Sequence, residues 1–193
     1  KAAPDSDDLM EKDIDDGDVA IDEVRRSLRL GMAARNVFPV LCVSGKENIG
    51  VGRLMEFITF NVPSPTEALH AKTLVSGEKI TFNEAAPTTL FVFKTANETH
   101  VGNIVYMKVM SGELAEGMDV VNSTNEGKER IAQIFVNSGK TRTKIEKAAA
   151  GDIISTIKLK DVSTNDTLTS TKNIGDRLNE IKFPEPIYTT AIK

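Results

Sequence analysis

From Pro87 onward, apolar residues recur at alternate positions in short runs, and turn residues interrupt each run. This pattern restricts the fold more than any other feature of the chain. Residues 90–93, 104–109, 118–121, 131–136, 143–145, 153–157 and 187–192 read as strands. Ser111-Gly112, Glu116-Gly117, Ser138-Gly139, Gly151-Asp152 and Asn165-Asp166 read as turns. No helical period intervenes. Short strands with regular turns predict an antiparallel barrel or sandwich. Closure into a barrel is the favoured solution, because it leaves no strand edge with unpaired backbone groups.

The upstream part follows another rule. Residues 38–43 (FPVLCV) form a continuous apolar run, which predicts a strand buried on both faces. Cys42 falls inside it and is expected to act as a small buried hydrophobe. Residues 44–50 form a polar loop. Residues 51–60 then show helical spacing, with Val51, Leu54, Met55 and Ile58 on one face. Strand, loop and helix make the half-unit of an α/β domain, whose ligands bind at the carboxyl ends of the strands. Ser44, Gly45 and Lys46 therefore stand where a ligand would sit.

Another helix is expected from Asp18 to about Asn36. Ile21, Val24 and Leu28 form its apolar stripe, and Arg25, Arg26 and Arg29 fall late, where the helix dipole favours cations. Pro63 and Pro65 end the later helix, and residues 66–86 read as a linker with one or two short strands. The expected domains are thus residues 1–65 and 87–193, joined by residues 66–86.

Charge is uneven along the chain. Residues 1–30 hold ten acids against five bases, so the remainder is nearly neutral although the net charge is −4. The profile is not that of a stand-alone DNA-binding domain. The acids of residues 1–18 lack EF-hand spacing and read as a solvated connector, with Ser6 placed to cap a short helix. A single cysteine permits no disulfide within the chain, which fits a reducing compartment. No run is long enough to span a bilayer, and no signal-peptide pattern is present. The chain starts without Met and in mid-pattern, so a piece of a longer protein is expected. His70 and His100 have no metal-ligating neighbour in sequence, and Ser44 has no base beside it, so neither metal binding nor nucleophilic catalysis is expected. Lys140, Arg142 and Lys144 alternate along a strand and share one face, which makes them candidates for RNA phosphates. Glu146 continues that face with the opposite sign.

A string of turns then stands in order: His100-Val-Gly102, Val109-Met-Ser-Gly112, Glu116-Gly-Met-Asp119, Gly127-Lys-Glu-Arg-Ile131, Ala150-Gly-Asp-Ile153, Lys160-Asp-Val-Ser-Thr-Asn-Asp-Thr-Leu168 and Phe183-Pro-Glu-Pro186. This string resembles domain II of the elongation factor G family, the translational GTPases that drive ribosomal translocation. Upstream, Pro39-Val-Leu-Cys-Val-Ser-Gly45, and Gly50-Val51 through Pro63-Ser-Pro65, resemble the end of that family's GTPase domain. Each motif is weak alone; their joint order covers nearly the whole chain.

The resemblance implies the C-terminal part of a P-loop-type α/β GTPase domain, followed by an all-β closed barrel. It places Ser44, Gly45 and Lys46 at the fifth guanine-nucleotide motif, whose backbone N–H groups read the guanine O6; Gly45 stands where the family usually has Ala. The phosphate loop, the Mg²⁺-binding Asp-x-x-Gly and the base-reading Asn-Lys-x-Asp lie upstream in the family and are not in this sequence. GTP and Mg²⁺ are therefore expected only in the longer protein, whose GTPase activity the isolated chain would lack. The implied partners are the ribosome, with small-subunit rRNA at Lys140, Arg142 and Lys144, and other domains of the same protein. Neither DNA nor membrane is expected, and the implied location is cytoplasmic. The family commonly has Arg where Lys108 stands and Gly where Lys158 and Asn165 stand, which suggests a divergent paralogue. Two other readings stay open: a ribosome-binding paralogue, of the ribosomal protection type or independent of hydrolysis, and a generic β-barrel interaction module.

Overall fold

The computed structural model describes residues 21–67, 72–77, 79–99, 101–170, 177–188 and 190–191. The chain divides into two compact units, Lys1–Ala71 and Lys72–Lys193. Among the described residues, no helix is long and apolar enough to cross a membrane.

The first unit is built on two helices, α1 (Ile21–Ala33) and α2 (Val51–Asn61). Asp22 and Glu23 occupy the first turn of α1, where the helix dipole favours acids. Gly50 caps α2 with φ 73, a conformation that glycine adopts without strain. At the other end the Asn61 side chain donates to the Phe57 carbonyl at 3.2 Å, and Pro63 prevents continuation. Beyond it, the Glu67 carboxylate accepts the Ser64 N–H at 2.7 Å and pairs with Arg29 of α1 at 3.2 Å. The Ser64 N–H, and then the Arg29 charge, hold this carboxyl below the ordinary glutamate value against partial desolvation. The Arg25 guanidinium lies 5.2 Å from the centre of the Phe60 ring. No residue of either helix is fully buried.

Residues 38–43 do not form the expected doubly buried strand. Phe38 is 77% and Val40 90% exposed, and Cys42 is exposed rather than buried. A strand of this composition is covered only when other strands flank it and layers pack on both faces. The described residues of this unit provide neither, so the run has irregular backbone.

The described residues of the second unit are mostly β-strand and turn. β1 (Lys72–Thr73) pairs with β2 (Lys79–Ile80). The main strands are β3 (Thr89–Glu98), β4 (Gly102–Ser111), β6 (Met118–Asn122), β7 (Lys128–Ile131), β8 (Ile134–Ser138), β9 (Thr141–Ile145), β11 (Ile153–Ile157) and β12 (Thr167–Thr169). They form one antiparallel sheet in the order β7-β6-β12-β3-β4-β11-β8-β9. β5 (Glu113–Ala115) pairs with β10 (Lys147–Ala149). Because β5 leads into β6 and β10 follows β9, this small pair links the two halves of the curled sheet. No ladder joins β7 to β9 among the described residues. The sheet is thus a curled half-barrel, short of the closure expected from sequence.

The turns follow the sequence closely. Gly112, Gly117, Gly139, Gly151 and Asn165, one in each expected turn, all have positive φ. The expected strand at residues 131–136 is two strands, β7 and β8, that meet at a corner. The expected strand at residues 187–192 is not found among the described positions, where Ile187 and Tyr188 are exposed. The nearby Pro184 and Pro186 have no N–H to offer a ladder.

Alternation along the strands builds the core. On β4, Val105, Met107 and Val109 enter the main core, while Met110 enters a smaller cluster with Leu74 and Leu178. Burying each such side chain contributes about 1.5–3 kcal/mol. A polar network then fastens the β11–β12 connection. Buried Asn122 donates to the Asp166 carboxylate at 2.8 Å and to the Asp161 carbonyl at 3.3 Å, and accepts the Thr124 N–H at 2.9 Å. The Glu129 carboxylate accepts the N–H groups of Lys160 and Asp161 at 3.1 and 2.9 Å. Asn122→Ala leaves buried partners unsatisfied and is expected to cost about 1–3 kcal/mol, measured by urea unfolding of the chain. An unchanged midpoint would show that the network is dispensable.

Candidate functional site

The loop after residues 38–43 is closed on itself. Ser44 and Ile49 exchange N–H···O bonds, each of 3.0 Å. The Ser44 hydroxyl accepts the Glu47 N–H at 3.3 Å, and Asn48 adopts φ 52 to complete the bend. A side chain at Gly50 would meet the Cys42 carbonyl at 3.2 Å as well as a positive φ, so the exit of the loop requires glycine. The N–H groups of Gly45 and Lys46 donate to no acceptor among the described residues. The loop therefore offers two adjacent backbone donors, chemistry suited to a carbonyl oxygen on a ligand. A Cβ at Gly45 would meet nothing within 4 Å, so alanine fits there equally well. Lys46 is exposed and lies 3.9 Å from Glu47.

The second candidate lies on the other unit, at the end strand β9. Lys140 precedes it in the turn, is exposed, and has no ion-pair partner among the described residues. Arg142 pairs with Glu98 at 3.1 Å, sits 5.9 Å from the Phe135 ring centre and is 24% exposed. Its Nε is buried without an acceptor among the described residues. The Lys144 ammonium pairs with Glu116 at 2.7 Å. The three bases are thus not an equal row of solvent-facing cations: Lys140 is open to solvent, Lys144 is paired but accessible, and Arg142 is packed into the sheet. His70 and His100 lie outside the described residues.

Sequence reasoning missed the residues that hold these surfaces. Glu98 at the end of β3 and Glu116 in the β5–β6 turn neutralise β9, and Asn122, Glu129 and Asp166 organise the β11–β12 connection. The turn at Asn165-Asp166 and the strings at residues 127–131 and 160–168 carry members of that network, but nothing in them shows the bonds.

Comparison with known proteins places this geometry. The elongation factor G domain 2 family matches residues 87–171. Elongation factor G 2 of Syntrophomonas wolfei subsp. wolfei is 33% identical over 191 residues, an alignment that covers 97% of this chain and 27% of that protein. Residues 87–171 belong to the elongation factor G domain 2 family, and the chain as a whole is similar to elongation factor G. It spans about a quarter of the length of that curated relative. A crystal structure of a protein from Thermus thermophilus has the same fold, with a TM-score of 0.73 at 23% identity over 95% of this chain and 25% of that one. Within this elongation factor G segment, the domain 2 match begins just before β3 and ends just after β12. The eight-stranded sheet and its core are therefore the family's domain 2. The Ser44 loop lies outside that match and inside the longer alignment with elongation factor G 2.

Proposed function

We propose that this chain supplies the end of the GTPase domain and the barrel domain II of an elongation factor G-type translation factor. In the longer, cytoplasmic protein it serves GTP- and Mg²⁺-dependent movement of tRNA and mRNA on the ribosome. The observation that carries this reading is the identity to elongation factor G 2, which runs through both units rather than the β-rich unit alone. Residues 1–65 act as the C-terminal part of the GTPase domain, 66–86 as a linker and 87–193 as the barrel. The exposed run at residues 38–43 supports this assignment, because the longer protein gives it flanking strands and a cover. The Gly45 and Lys46 amides then face the guanine O6, with Ser44 holding the loop closed.

A single loop cannot bind the nucleotide alone, since phosphate cradle, Mg²⁺ ligands and base-reading side chain are all absent from this sequence. Calorimetric titration of the isolated chain with a non-hydrolysable GTP analogue is expected to give no binding heat. A micromolar dissociation constant would place the nucleotide site within these residues and overturn the proposal.

A further inference from the structure

The connection from β11 to β12 contains two non-glycine residues with positive φ, Lys158 at 65° and Asn165 at 81°. Glycine meets such a conformation freely, and asparagine is among the few side chains that tolerate it. At Asn165 the side chain also does what no glycine can. Its Oδ1 accepts the Ile181 N–H at 2.9 Å, and its Nδ2 donates to the Ile181 carbonyl at 3.2 Å. This reciprocal pair imitates the exchange of bonds between two residues of an antiparallel ladder, with a side-chain amide in place of one strand.

The base of this contact is fixed. The Asn165 N–H donates to the Val92 carbonyl at 2.8 Å, and the Val92 N–H donates to the Asp166 carbonyl at 2.9 Å. The Asp166 carboxylate in turn accepts the Ser163 N–H at 2.7 Å and the Asn122 amide at 2.8 Å. Asn165 is therefore mounted on β3 and on the buried network, and does not drift with a surface loop.

The segment it grips has one other anchor nearby. Leu178 is buried beside Leu74, its N–H donates to the Thr167 hydroxyl at 3.0 Å, and the Val75 N–H donates to the Arg177 carbonyl at 2.7 Å. Between these two anchors the segment forms one side of an open groove of about 930 Å³, with Val75, Thr124 and Asn165 among the residues across from it.

We infer that Asn165 is a positioning residue: its amide clamps residues 177–181 as a strap and fixes the direction in which the following residues, with Pro184 and Pro186, run on from it. Leu178 alone is a pivot, and a second fixed point at Ile181 gives the strap one heading. The inference rests on this unit's own bonds and is independent of any ribosomal role.

Site-resolved amide hydrogen exchange on the full chain tests the clamp, with Val92 and Leu178 as internal references. In N165G the backbone keeps its preferred conformation and loses only the amide, so the Ile181 N–H exchanges faster, on the order of fivefold for one lost hydrogen bond. Val92 and Leu178 keep their wild-type rates. N165D retains the acceptor for the Ile181 N–H but sets its other oxygen against the Ile181 carbonyl, so its rate lies between those of wild type and N165G. Three results overturn the inference: an unchanged Ile181 rate in N165G, equal acceleration at Val92 and Leu178, or an N165D rate equal to that of N165G.

Discussion

Gly112→Ala is expected to remove most of the stability of the second unit. Gly112 joins β4 to β5 with φ 72, and a Cβ there would lie 2.6 Å from both Cα and N of Thr88 and 2.7 Å from the Ala86 carbonyl oxygen. These are backbone atoms and cannot move aside as a side chain can. They are also tied down. The Thr88 hydroxyl donates to the Glu113 carbonyl at 2.7 Å, the Ser111 hydroxyl donates to the Pro87 carbonyl at 2.7 Å, and the Gly112 N–H donates to the Asn83 carbonyl at 2.7 Å. The left-handed backbone alone costs alanine about 1–2 kcal/mol. Separation of the packed backbones raises the total to roughly 4 kcal/mol or more, in the range reserved for a specific structural failure. Urea unfolding monitored by circular dichroism measures it. Gly45→Ala is the matched control, with open space at its Cβ; it should leave the curve unchanged. A wild-type curve for Gly112→Ala would contradict the packing described for the β4–β5 corner.

Leu168→Ala should be the second most damaging of these changes. Leu168 is 0% exposed and sits in β12, opposite Leu90 of β3 on one side and Asn122 of β6 on the other. Truncation leaves a void between three strands that hydrogen bonds hold apart, so the expected loss is about 2–5 kcal/mol. For a unit of this size that corresponds to a fall in melting temperature of roughly 8–20 °C. Val136→Ala, at an exposed position of β8, should shift stability by less than about 0.5 kcal/mol. Equal melting temperatures for the two variants would mean that Leu168 lies outside the cooperative core.

These two positions show what could be read in advance. Gly112 was visible as a turn because small and polar residues cluster where strands end, and the alternation on β4 was visible because its core face repeats every second residue. The order of strands was not. β12 lies between β6 and β3 although it comes last of the eight in sequence, and three-residue strands such as β5, β10 and β12 are too short to display a period. The run at residues 38–43 failed for another reason: composition indicates what a segment can bury, while burial itself requires partners. At the candidate sites the same division holds. Alternation of Lys140, Arg142 and Lys144 could be read, whereas the pairing of Arg142 with Glu98, 44 residues away, depends on tertiary curl. The polar loop at Ser44 could be read, whereas its closure by Ser44 and Ile49 depends on local geometry. Asn122 and Glu129 look like surface residues in sequence. They are buried because the amides and carbonyls of the β11–β12 connection need partners.

Binding of the chain to isolated small ribosomal subunits across a salt series decides whether this segment works on the ribosome, as proposed. Arg142 should be left in place, since its packing against Phe135 and its pair with Glu98 make reversal a folding defect. Lys140→Glu with Lys144→Glu reverses the accessible charges in and just before β9. The wild-type chain should bind weakly and saturably, and less tightly as salt rises. The double reversal should weaken it and flatten the logarithmic salt slope by roughly one to two, because fewer counterions are released. Absence of binding by the wild-type chain at low salt, or identical affinities and slopes for the two proteins, would contradict docking through this end of domain 2.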